Sequence, residues 1–377
     1  MLSPQTFVKK YDLLNCVQCG RCTASCPVSL KSALNIRHSV YRTLVGESSD
    51  ILAQQIPLWD CTTCATCSER CPKKIKPFEL LVAFRGNLIE KGRIQTTIRE
   101  VLESLFKYGN PWGRIKEKRT EWTKDLKIKD FSKGEKADTL CFICCTVAYN
   151  PEAQGVAKAI AKIFESAKVD FGILGEEETC CGNEVRRMGE EGLFEVLQEN
   201  NLDTFKKYQF VSQMVTLSPH CFNTFKNEYP KTDFSIIHYC QFIFRLMEQG
   251  RITLTKPLNK TVTYHDPCFL GKQNKIYDEP RKILQNIPGI NFLEMDRSRE
   301  RSLCCEGGGG RMWVEASGTG ERLSEQRIKD AVEMGVEILA TACPFCQLTL
   351  QDAVKTTGNE EKIQVKDIAE LVAEAMS

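Results

Sequence analysis

Residues 16–27 read CVQCGRCTASCP and residues 61–72 read CTTCATCSERCP. Both stretches follow the pattern C-x2-C-x2-C-x3-C-P. Three thiolates spaced in this way can grip one face of an iron–sulfur cubane, whereas the longer spacing and the proline carry the fourth thiolate to a neighbouring cluster. Tetrahedral zinc sites do not use this crossed spacing. The two motifs therefore predict a pair of [4Fe–4S] clusters.

The crossed spacing also predicts which cysteines belong to which cluster. One ligand set is Cys16, Cys19, Cys22 and Cys71, and the other is Cys61, Cys64, Cys67 and Cys26. Because each motif donates one ligand to the other motif's cluster, we expect the two clusters to lie close enough for rapid electron hopping.

The segments around these motifs have a helical pattern. Residues 34–58 and 78–89 carry apolar side chains at spacings of three and four, which indicates amphipathic helices. We therefore expect residues 1–100 to form an α-helical domain, followed by a linker over residues 101–136. Residues 107–138 contain ten Lys or Arg against six Asp or Glu. This composition is typical of a solvated connection, and a basic docking strip is the alternative.

The composition excludes several other classes of protein. A net charge of +2 over 377 residues is too small for a protein whose main partner is nucleic acid. The sequence has no apolar run of about 18 residues, so no transmembrane helix is expected. The start lacks the apolar core of a signal peptide. Twenty cysteines without an export signal are expected to be metal ligands or redox groups in a reducing compartment, which predicts a cytoplasmic protein.

The rest of the chain contains one cysteine pattern twice. Four cysteines recur at offsets of 123, 124, 124 and 125 residues, pairing Cys145, Cys180, Cys181 and Cys221 with Cys268, Cys304, Cys305 and Cys346. A register kept this closely predicts a duplicated domain, with copies over residues 137–250 and 257–377. The copies differ at one position, because Ser218 in the first stands opposite Cys343 in the second.

Each copy alternates short apolar strands with amphipathic helices, which is typical of an α/β unit with a parallel sheet. The predicted strands are 139–144, 169–174, 214–217 and 235–237, then 261–264, 292–295, 338–341 and 363–365. The predicted helices are 156–167, 239–249, 323–334 and 367–375. The predicted fold class is therefore α + α/β: an α-helical two-cluster domain followed by two repeated α/β domains with small parallel sheets. Cofactors in such domains lie beyond the carboxyl ends of the strands.

The second copy gathers five cysteines from three segments, which read HDPCFLGK (265–272), LCCEGGGGRMW (303–313) and ACPFCQLT (342–349). Adjacent thiolates do not easily serve one tetrahedral ion, but they suit a larger cluster in which they touch different irons. The four glycines at 307–310 allow the backbone to approach closely and to donate N–H bonds to cluster sulfurs. Neither a phosphate-loop motif nor G-x-G-x-x-G is present, so no flavin or nicotinamide site is expected in this chain.

These motifs resemble the heterodisulfide reductase family. Residues 12–92 look like its ferredoxin-type subunit, and residues 139–354 look like the cysteine-rich (CCG) domains of a second subunit. The order in this chain is similar to the D-type subunit of that family, in which the two are fused. Related fusions occur in the iron–sulfur subunits of glycolate, lactate and anaerobic glycerol-3-phosphate dehydrogenases.

The resemblance implies that a complete five-cysteine motif holds a noncubane [4Fe–4S] cluster, at which a disulfide can be cleaved. The ligands and catalytic residues implied here are Cys268, Cys304, Cys305, Cys343 and Cys346. Glu306 departs from the pattern, because it replaces the glycine that usually follows the paired cysteines.

The first copy matches the ligand pattern at Cys145, Cys180, Cys181 and Cys221, but Ser218 replaces the fifth ligand. Three alternatives stay open: a four-cysteine cluster, an altered cluster with Ser218 or Cys144 as a ligand, or no cluster. Cys141 and Cys144 fall on a predicted buried strand, where cysteine is usually a small core residue. His220 and His265 adjoin ligand cysteines and either donate hydrogen bonds or protons to them or are structural.

Two functions agree with these features. In the first, the chain is a catalytic subunit that passes electrons from two cubanes to a noncubane cluster, which reduces a thiol or disulfide substrate. In the second, it is a non-catalytic relay between a flavin dehydrogenase or electron-transferring flavoprotein and a membrane quinone or cytochrome. Both require partner subunits that supply the flavin, the cytochrome or the quinone site, with no nucleic acid. We expect the chain in the cytoplasm, or on the inner face of the membrane through such a partner.

Overall fold

A computed structural model describes residues 4–48, 55–208, 211–314 and 320–376. The N-terminal part is helical, with α1 (Pro4–Lys10), α2 (Arg21–Ala24), α3 (Ile36–Leu44), α4 (Gln55–Asp60), α5 (Thr66–Glu69), α6 (Pro77–Glu90) and α7 (Thr96–Tyr108). Helix α3 begins after Asn35, whose side chain accepts a hydrogen bond from the His38 backbone N–H. Helix α6 begins at Pro77, where the missing N–H has no intrahelical partner to lose.

The structure refines the predicted helices of this region. The helix predicted over residues 78–89 is confirmed as α6. The single helix predicted over residues 34–58 is divided, because α3 ends at Leu44 and the next described helix, α4, begins at Gln55. Residues 49–54 of that prediction lie outside the described residues. Helix α7 runs through residue 100, where we placed the end of the first domain.

The linker is packed into the structure. Residues Lys116–Thr123 form a 3-10 helix, and two of its side chains, Arg119 and Trp122, are buried. The positive charge of this segment is therefore not all exposed to solvent, because the side chain of Arg119 lies inside the protein.

The first cysteine repeat is built on a parallel sheet with the strand order β1-β3-β2-β4-β5. Its strands are β1 (Lys129–Asp130), β2 (Thr139–Phe142), β3 (Phe171–Ile173), β4 (Gln213–Thr216) and β5 (Ser235–His238). Its helices are α8 (Cys145–Tyr149), α9 (Gln154–Ser166), α10 (Asn183–Met188), α11 (Glu191–Lys207), α12 (Pro219–Asn227) and α13 (Tyr239–Glu248).

The second repeat has a four-stranded parallel sheet with the order β7-β6-β8-β9. Its strands are β6 (Lys260–Tyr264), β7 (Ile290–Phe292), β8 (Ile338–Thr341) and β9 (Gln364–Asp367). Its helices are α14 (Asp278–Asn286), α15 (Leu323–Glu333), α16 (Pro344–Thr356) and α17 (Ile368–Ala375). The order matches β3-β2-β4-β5 strand for strand, with β1 added at the edge of the first sheet. The predicted fold class is confirmed.

The cysteines follow the carboxyl ends of the strands, where an α/β sheet binds its ligands. Strand β2 leads to Cys145, β6 to Cys268, and β8 to Cys343. Both sheets are parallel, so these ends converge on one side of each repeat.

The repeats pack against each other through helices. Helix α9 lies against α17, and α13 lies against α14. Lys162 donates from Nζ to the Ala373 carbonyl at 3.0 Å, and the Tyr239 hydroxyl donates to the buried Asp367 carboxylate at 2.7 and 2.8 Å. Among the described residues, no helix combines the length and the apolar character needed to cross a membrane.

Candidate metal centres

The first predicted ligand set lies near the surface of the helical domain. One cavity is lined by all four of its cysteines, which are Cys16, Cys19, Cys22 and Cys71. Cys19 is exposed, and the other three are partly buried. The structure therefore brings Cys71 of the second motif to the first, as the crossed spacing predicts.

The second predicted set is buried. Cys26 of the first motif lies beside three cysteines of the second motif. The four thiols interact electrostatically, and they are Cys26, Cys61, Cys64 and Cys67. Burial raises the pKa of Cys61 to about 12. A buried thiol of this kind ionises only when a metal or another positive charge stabilises the thiolate.

The two motifs form the same loop. Gln18 and Thr63 both have positive φ angles, and so do Gly20 and Ala65, which occupy equivalent positions. This conformation turns backbone N–H groups toward the sulfurs, and the Thr63 N–H lies 3.4 Å from Cys61 Sγ. N–H bonds to sulfur are a regular feature of iron–sulfur sites.

The second cysteine repeat gathers its five predicted ligands into one buried cluster. Each thiol interacts with the next in the order Cys268, Cys304, Cys305, Cys346 and Cys343. Cys305 and Cys346 have their sulfurs 3.2 Å apart. The N–H groups of Glu306 and Gly307 each lie 3.4 Å from a cysteine sulfur. This donor set fits an iron–sulfur cluster, because it combines several converging sulfurs with backbone donors aimed at them.

His265 adjoins this cluster. One of its ring nitrogens lies within 4.8 Å of the sulfurs of Cys305 and Cys346. Its buried Nδ1 atom has no hydrogen-bond partner among the described residues. Burial lowers the pKa of His265 to about 3, so the ring is neutral and can offer a lone pair to the site.

His220 belongs to the first repeat, but its ring contacts residues of the second repeat. It hydrogen-bonds with Cys343, and its ring stacks on Phe269 at 4.3 Å between centroids. Its Nδ1 lies 3.2 Å from Asn183 Oδ1 and 3.3 Å from Glu184 Oε1. Burial favours the neutral ring, but the bonds with Cys343 and Glu184 outweigh it and raise the pKa of His220 to about 10.

Hydrogen bonds oppose the effect of burial at one thiol in each repeat, Cys343 and Cys181. Burial disfavours the Cys343 thiolate, but bonds from Cys346 and His220 lower the pKa of Cys343 to about 5. Bonds from Cys180 and Cys221 lower the pKa of Cys181 to about 6. Such bonds favour the thiolate, which is the form that binds metal.

The helical domain and the second repeat meet at their cysteines. The thiols of Cys64 and Cys304 lie close enough to interact with each other. Beside them the buried Lys272 donates to Thr66 Oγ1 at 2.8 Å and to the Ser302 carbonyl at 2.6 Å. The second ferredoxin-type ligand set and the five-cysteine cluster are therefore in contact.

The four glycines at 307–310 allow the second repeat to approach the helical domain this closely. A side chain on Gly309 would lie 2.8 Å from the backbone of Thr62, and its φ angle is +71°. Glu306 also adopts a positive φ of +66°, which explains why glycine is usual at this position. Its carboxylate pairs with Lys31 of the helical domain at 2.7 Å and accepts from the Leu323 N–H at 2.9 Å.

The first repeat also gathers its predicted ligands. Cys145, Cys180, Cys181 and Cys221 form a buried chain of contacts. The Ser218 hydroxyl interacts with the backbone: its Oγ accepts a hydrogen bond from the His220 N–H at 3.3 Å.

One expectation for the first repeat needs correction. Both Cys141 and Cys144 are buried, but strand β2 ends at Phe142, so Cys141 lies on the strand and Cys144 lies beyond its end. Cys144 instead contacts Cys221. The linker contributes Arg119, whose guanidinium lies 3.7 Å from Cys145 Sγ and forms a buried ion pair with Glu178. No periodicity or motif in the sequence singled out Arg119 or Glu178.

Two family models match the chain. The cysteine-rich domain family matches residues 139–226 and 262–351, and the 4Fe-4S dicluster domain family matches residues 12–75. The chain is 33% identical to the D-type subunit of the dihydromethanophenazine:CoB–CoM heterodisulfide reductase of Methanosarcina barkeri, over 98% of this chain and 96% of that protein.

Other relatives are longer. The chain is 34% identical to the probable iron-sulfur-binding oxidoreductase FadF of Bacillus subtilis, over 77% of this chain and 42% of that protein. It is 29% identical to the EtfAB:quinone oxidoreductase of Syntrophomonas wolfei, over 97% of this chain and 58% of that protein. The chain thus spans about half the length of these two relatives. A crystal structure of a hypothetical protein from Helicobacter pylori has a similar fold, with a TM-score of 0.59 at 10% identity, over all of this chain and 77% of that one.

Proposed function

This chain belongs to the iron–sulfur protein family that contains the D-type subunits of heterodisulfide reductase, and we propose that it reduces a disulfide substrate to two thiols at its second cysteine repeat, with electrons that arrive through the helical domain. It is an iron–sulfur oxidoreductase subunit.

The observation that carries the proposal is the contact between Cys64 and Cys304. These residues belong to different predicted ligand sets and lie far apart in the sequence. A direct contact between two ligand sets is the arrangement needed for short electron-transfer distances. It supports a function in which the helical domain supplies electrons to the second repeat.

The proposed ligands follow the sets described above. Two cubanes would be held by Cys16, Cys19, Cys22 and Cys71 and by Cys26, Cys61, Cys64 and Cys67. A noncubane cluster would be held by Cys268, Cys304, Cys305, Cys343 and Cys346. Bound iron–sulfur clusters supply one-electron transfer and, at a reactive iron, affinity for sulfur.

The residues around the second repeat protect and polarise this site. His220 holds a hydrogen bond on Cys343, and Glu184 fixes the ring while its other oxygen accepts from the Gly310 N–H at 2.8 Å. Lys272 adds a buried positive charge beside the Cys64 and Cys304 pair. A fixed cation and fixed donors favour added negative charge at the site, as reduction requires.

A groove next to the site supports an anionic substrate. It has a volume of about 470 Å³ and is lined by Cys26 and by Leu303, the neighbour of Cys304. Four basic side chains and one acidic side chain line it: Lys31, Arg70, Arg297, Arg301 and Glu321. Such a groove suits a thiol or disulfide that carries carboxylate, sulfonate or phosphate groups.

The second candidate function is an electron relay without substrate chemistry. It is favoured by the similarity to the EtfAB:quinone oxidoreductase and by the burial of all five cysteines of the second repeat. In this function a flavin-containing subunit and a membrane quinone or cytochrome subunit would bind the chain, and the exposed Cys19 edge would face one of them.

The test is iron and sulfide counting on protein purified without oxygen, followed by EPR after treatment with thiols. We expect about 12 irons or more per chain, and a content of about eight would remove the proposal because it accounts only for the cubanes. A thiol-dependent EPR signal that Cys305→Ala abolishes, while the cubane signals persist, supports the reductase. Cys141→Ala is the control. The relay gains support if a full iron content is found and no thiol changes the spectrum.

A further inference from the structure

Both repeats contain a chain of five thiols in contact, although the sequence pattern shows five ligands only in the second. In the second repeat the chain ends with Cys346 and Cys343, whose thiols interact with each other. The first repeat has Ser218 at the position equivalent to Cys343.

The first repeat completes the same chain with a different residue. Its contacts run from Cys145 through Cys180 and Cys181 to Cys221. Cys221 then interacts with Cys144, which also interacts with Cys181. Cys144 therefore stands to Cys221 as Cys343 stands to Cys346.

Ser218 has a separate role that explains the exchange. Its hydroxyl caps helix α12 by accepting from the His220 N–H at 3.3 Å. Cys343 precedes helix α16 at the equivalent position and makes no such bond. The serine is therefore committed to the helix terminus, whereas the cysteine is free to join the thiol cluster.

The backbone before Cys145 is shaped to turn Cys144 toward the cluster. Cys144 has φ +74° and ψ 142°, a conformation that is uncommon for a residue with a side chain. The Glu178 carboxylate holds it by accepting from the N–H groups of Ile143 and Cys144 at 2.9 and 3.0 Å. Arg119 pairs with that carboxylate. The equivalent residue in the second repeat is Pro267, which cannot bind metal.

We propose that the first repeat is a complete five-thiolate site in which Cys144 takes the ligand position lost at Ser218, and that it holds an iron–sulfur cluster of its own. The inference rests on the proposal that the cysteine repeats hold such clusters. The replacement ligand reaches the site from the loop after β2 instead of from the start of α12.

Four variants test the replacement: Cys144→Ala, Ser218→Cys, the double variant with both changes, and Cys141→Ala as a matched control for removing a buried cysteine from the same segment. The readouts are iron and sulfide per chain and Mössbauer spectra of anaerobic protein. We expect about 16 irons in the parent and about four fewer in Cys144→Ala. We expect the double variant to regain them, and Ser218→Cys alone and Cys141→Ala to match the parent.

Two results overturn the inference. One is an iron content of Cys144→Ala equal to that of the parent. The other is a gain of iron in Ser218→Cys alone, because that gain means that the natural site lacks a ligand. A parent content of about eight irons contradicts the proposed function itself, since it leaves both repeats without a cluster. A content of about 12 irons in both the parent and Cys144→Ala contradicts only the inference about Cys144.

Discussion

His220 shows how one side chain can link two repeats. It belongs to the first repeat, where its position in the sequence places it only beside Cys221. In space it hydrogen-bonds with Cys343, and Phe269 and Phe345 of the second repeat pack on its ring. Phe345 is the residue at the equivalent position of the second repeat. The duplication has therefore diverged, and only the first copy donates a polar ring to its neighbour.

We predict that His220→Phe lowers the reduction potential of the second-repeat site without changing the iron content. A hydrogen bond to a ligand sulfur stabilises the reduced state, in which the site carries more negative charge, so its loss favours the oxidised state. The measurement is a redox titration followed by EPR. His38→Phe, at an exposed position, is the control and should leave every potential unchanged. An unaltered potential in His220→Phe would show that the histidine is purely structural.

The residue scale also shows why Glu306 is accepted in place of glycine. A positive φ in a residue with a side chain costs about 1–3 kcal/mol and persists only where the surroundings hold it. Here Lys31 and the start of helix α15 bind its carboxylate. The substitution thus adds a contact between the second repeat and the helical domain.

At the scale of elements, two glycines set the distance between the helical domain and the first repeat. Gly86 lies inside α6, and Gly189 follows α10 with φ +95°. A side-chain carbon on Gly86 would lie 2.8 Å from the Gly189 carbonyl oxygen. The two backbones can approach this closely only because neither residue has a side chain.

We predict that Gly86→Ala is less stable than Gly192→Ala by about 1–3 kcal/mol, because added carbon in a filled contact forces the elements apart. Both glycines lie in helices, Gly86 in the interior of α6 and Gly192 in the first turn of α11, so greater helix propensity favours Gly86→Ala and a lower stability of that variant reports the clash. The nearest atom at Gly192 is a flexible Glu190 carboxylate oxygen at 3.3 Å. Chemical denaturation followed by circular dichroism compares them, and equal midpoints would contradict the packing argument.

For the whole molecule, Arg85 is the point where three parts of the chain meet. It is fully buried, and its guanidinium donates to carbonyl oxygens of each part. The acceptors are Leu58 and Cys61 in the helical domain, Arg187 in the first repeat at 2.7 Å, and Gly309 in the second repeat at 3.0 Å. One rigid, planar group with five donors suits this task better than lysine, whose charge is a single point.

We predict that Arg85→Met destabilises the folded chain by about 3–5 kcal/mol, because it leaves several buried carbonyl groups without donors. Arg85→Lys should recover part of this loss. Lys91→Met, at the exposed C-terminal end of the same helix, should have little effect. The midpoint of denaturation under anaerobic conditions measures all three. If Arg85→Met unfolds at the same midpoint as Lys91→Met, the three parts are not held by this residue.

The sequence alone determined the fold class and predicted how the cysteines of the two ferredoxin-type motifs group into ligand sets. The x2-x2-x3 spacing acts over a few residues and fixes local loop geometry, so it predicts which thiols can share a cluster. The four offsets of 123–125 residues and the apolar strand pattern predicted the duplicated parallel sheets to within a few residues of their observed bounds.

Only the tertiary structure decided which residues lie next to the predicted ligands. The position of Cys144 beside Cys221 could not be predicted from the sequence, because a strand pattern does not reveal that β2 ends at Phe142 or that Cys144 adopts a positive φ. Arg119, Arg85 and His220 act on partners in other parts of the chain. Their roles depend on how three separately patterned units pack, and contacts between distant segments leave no periodicity in the sequence.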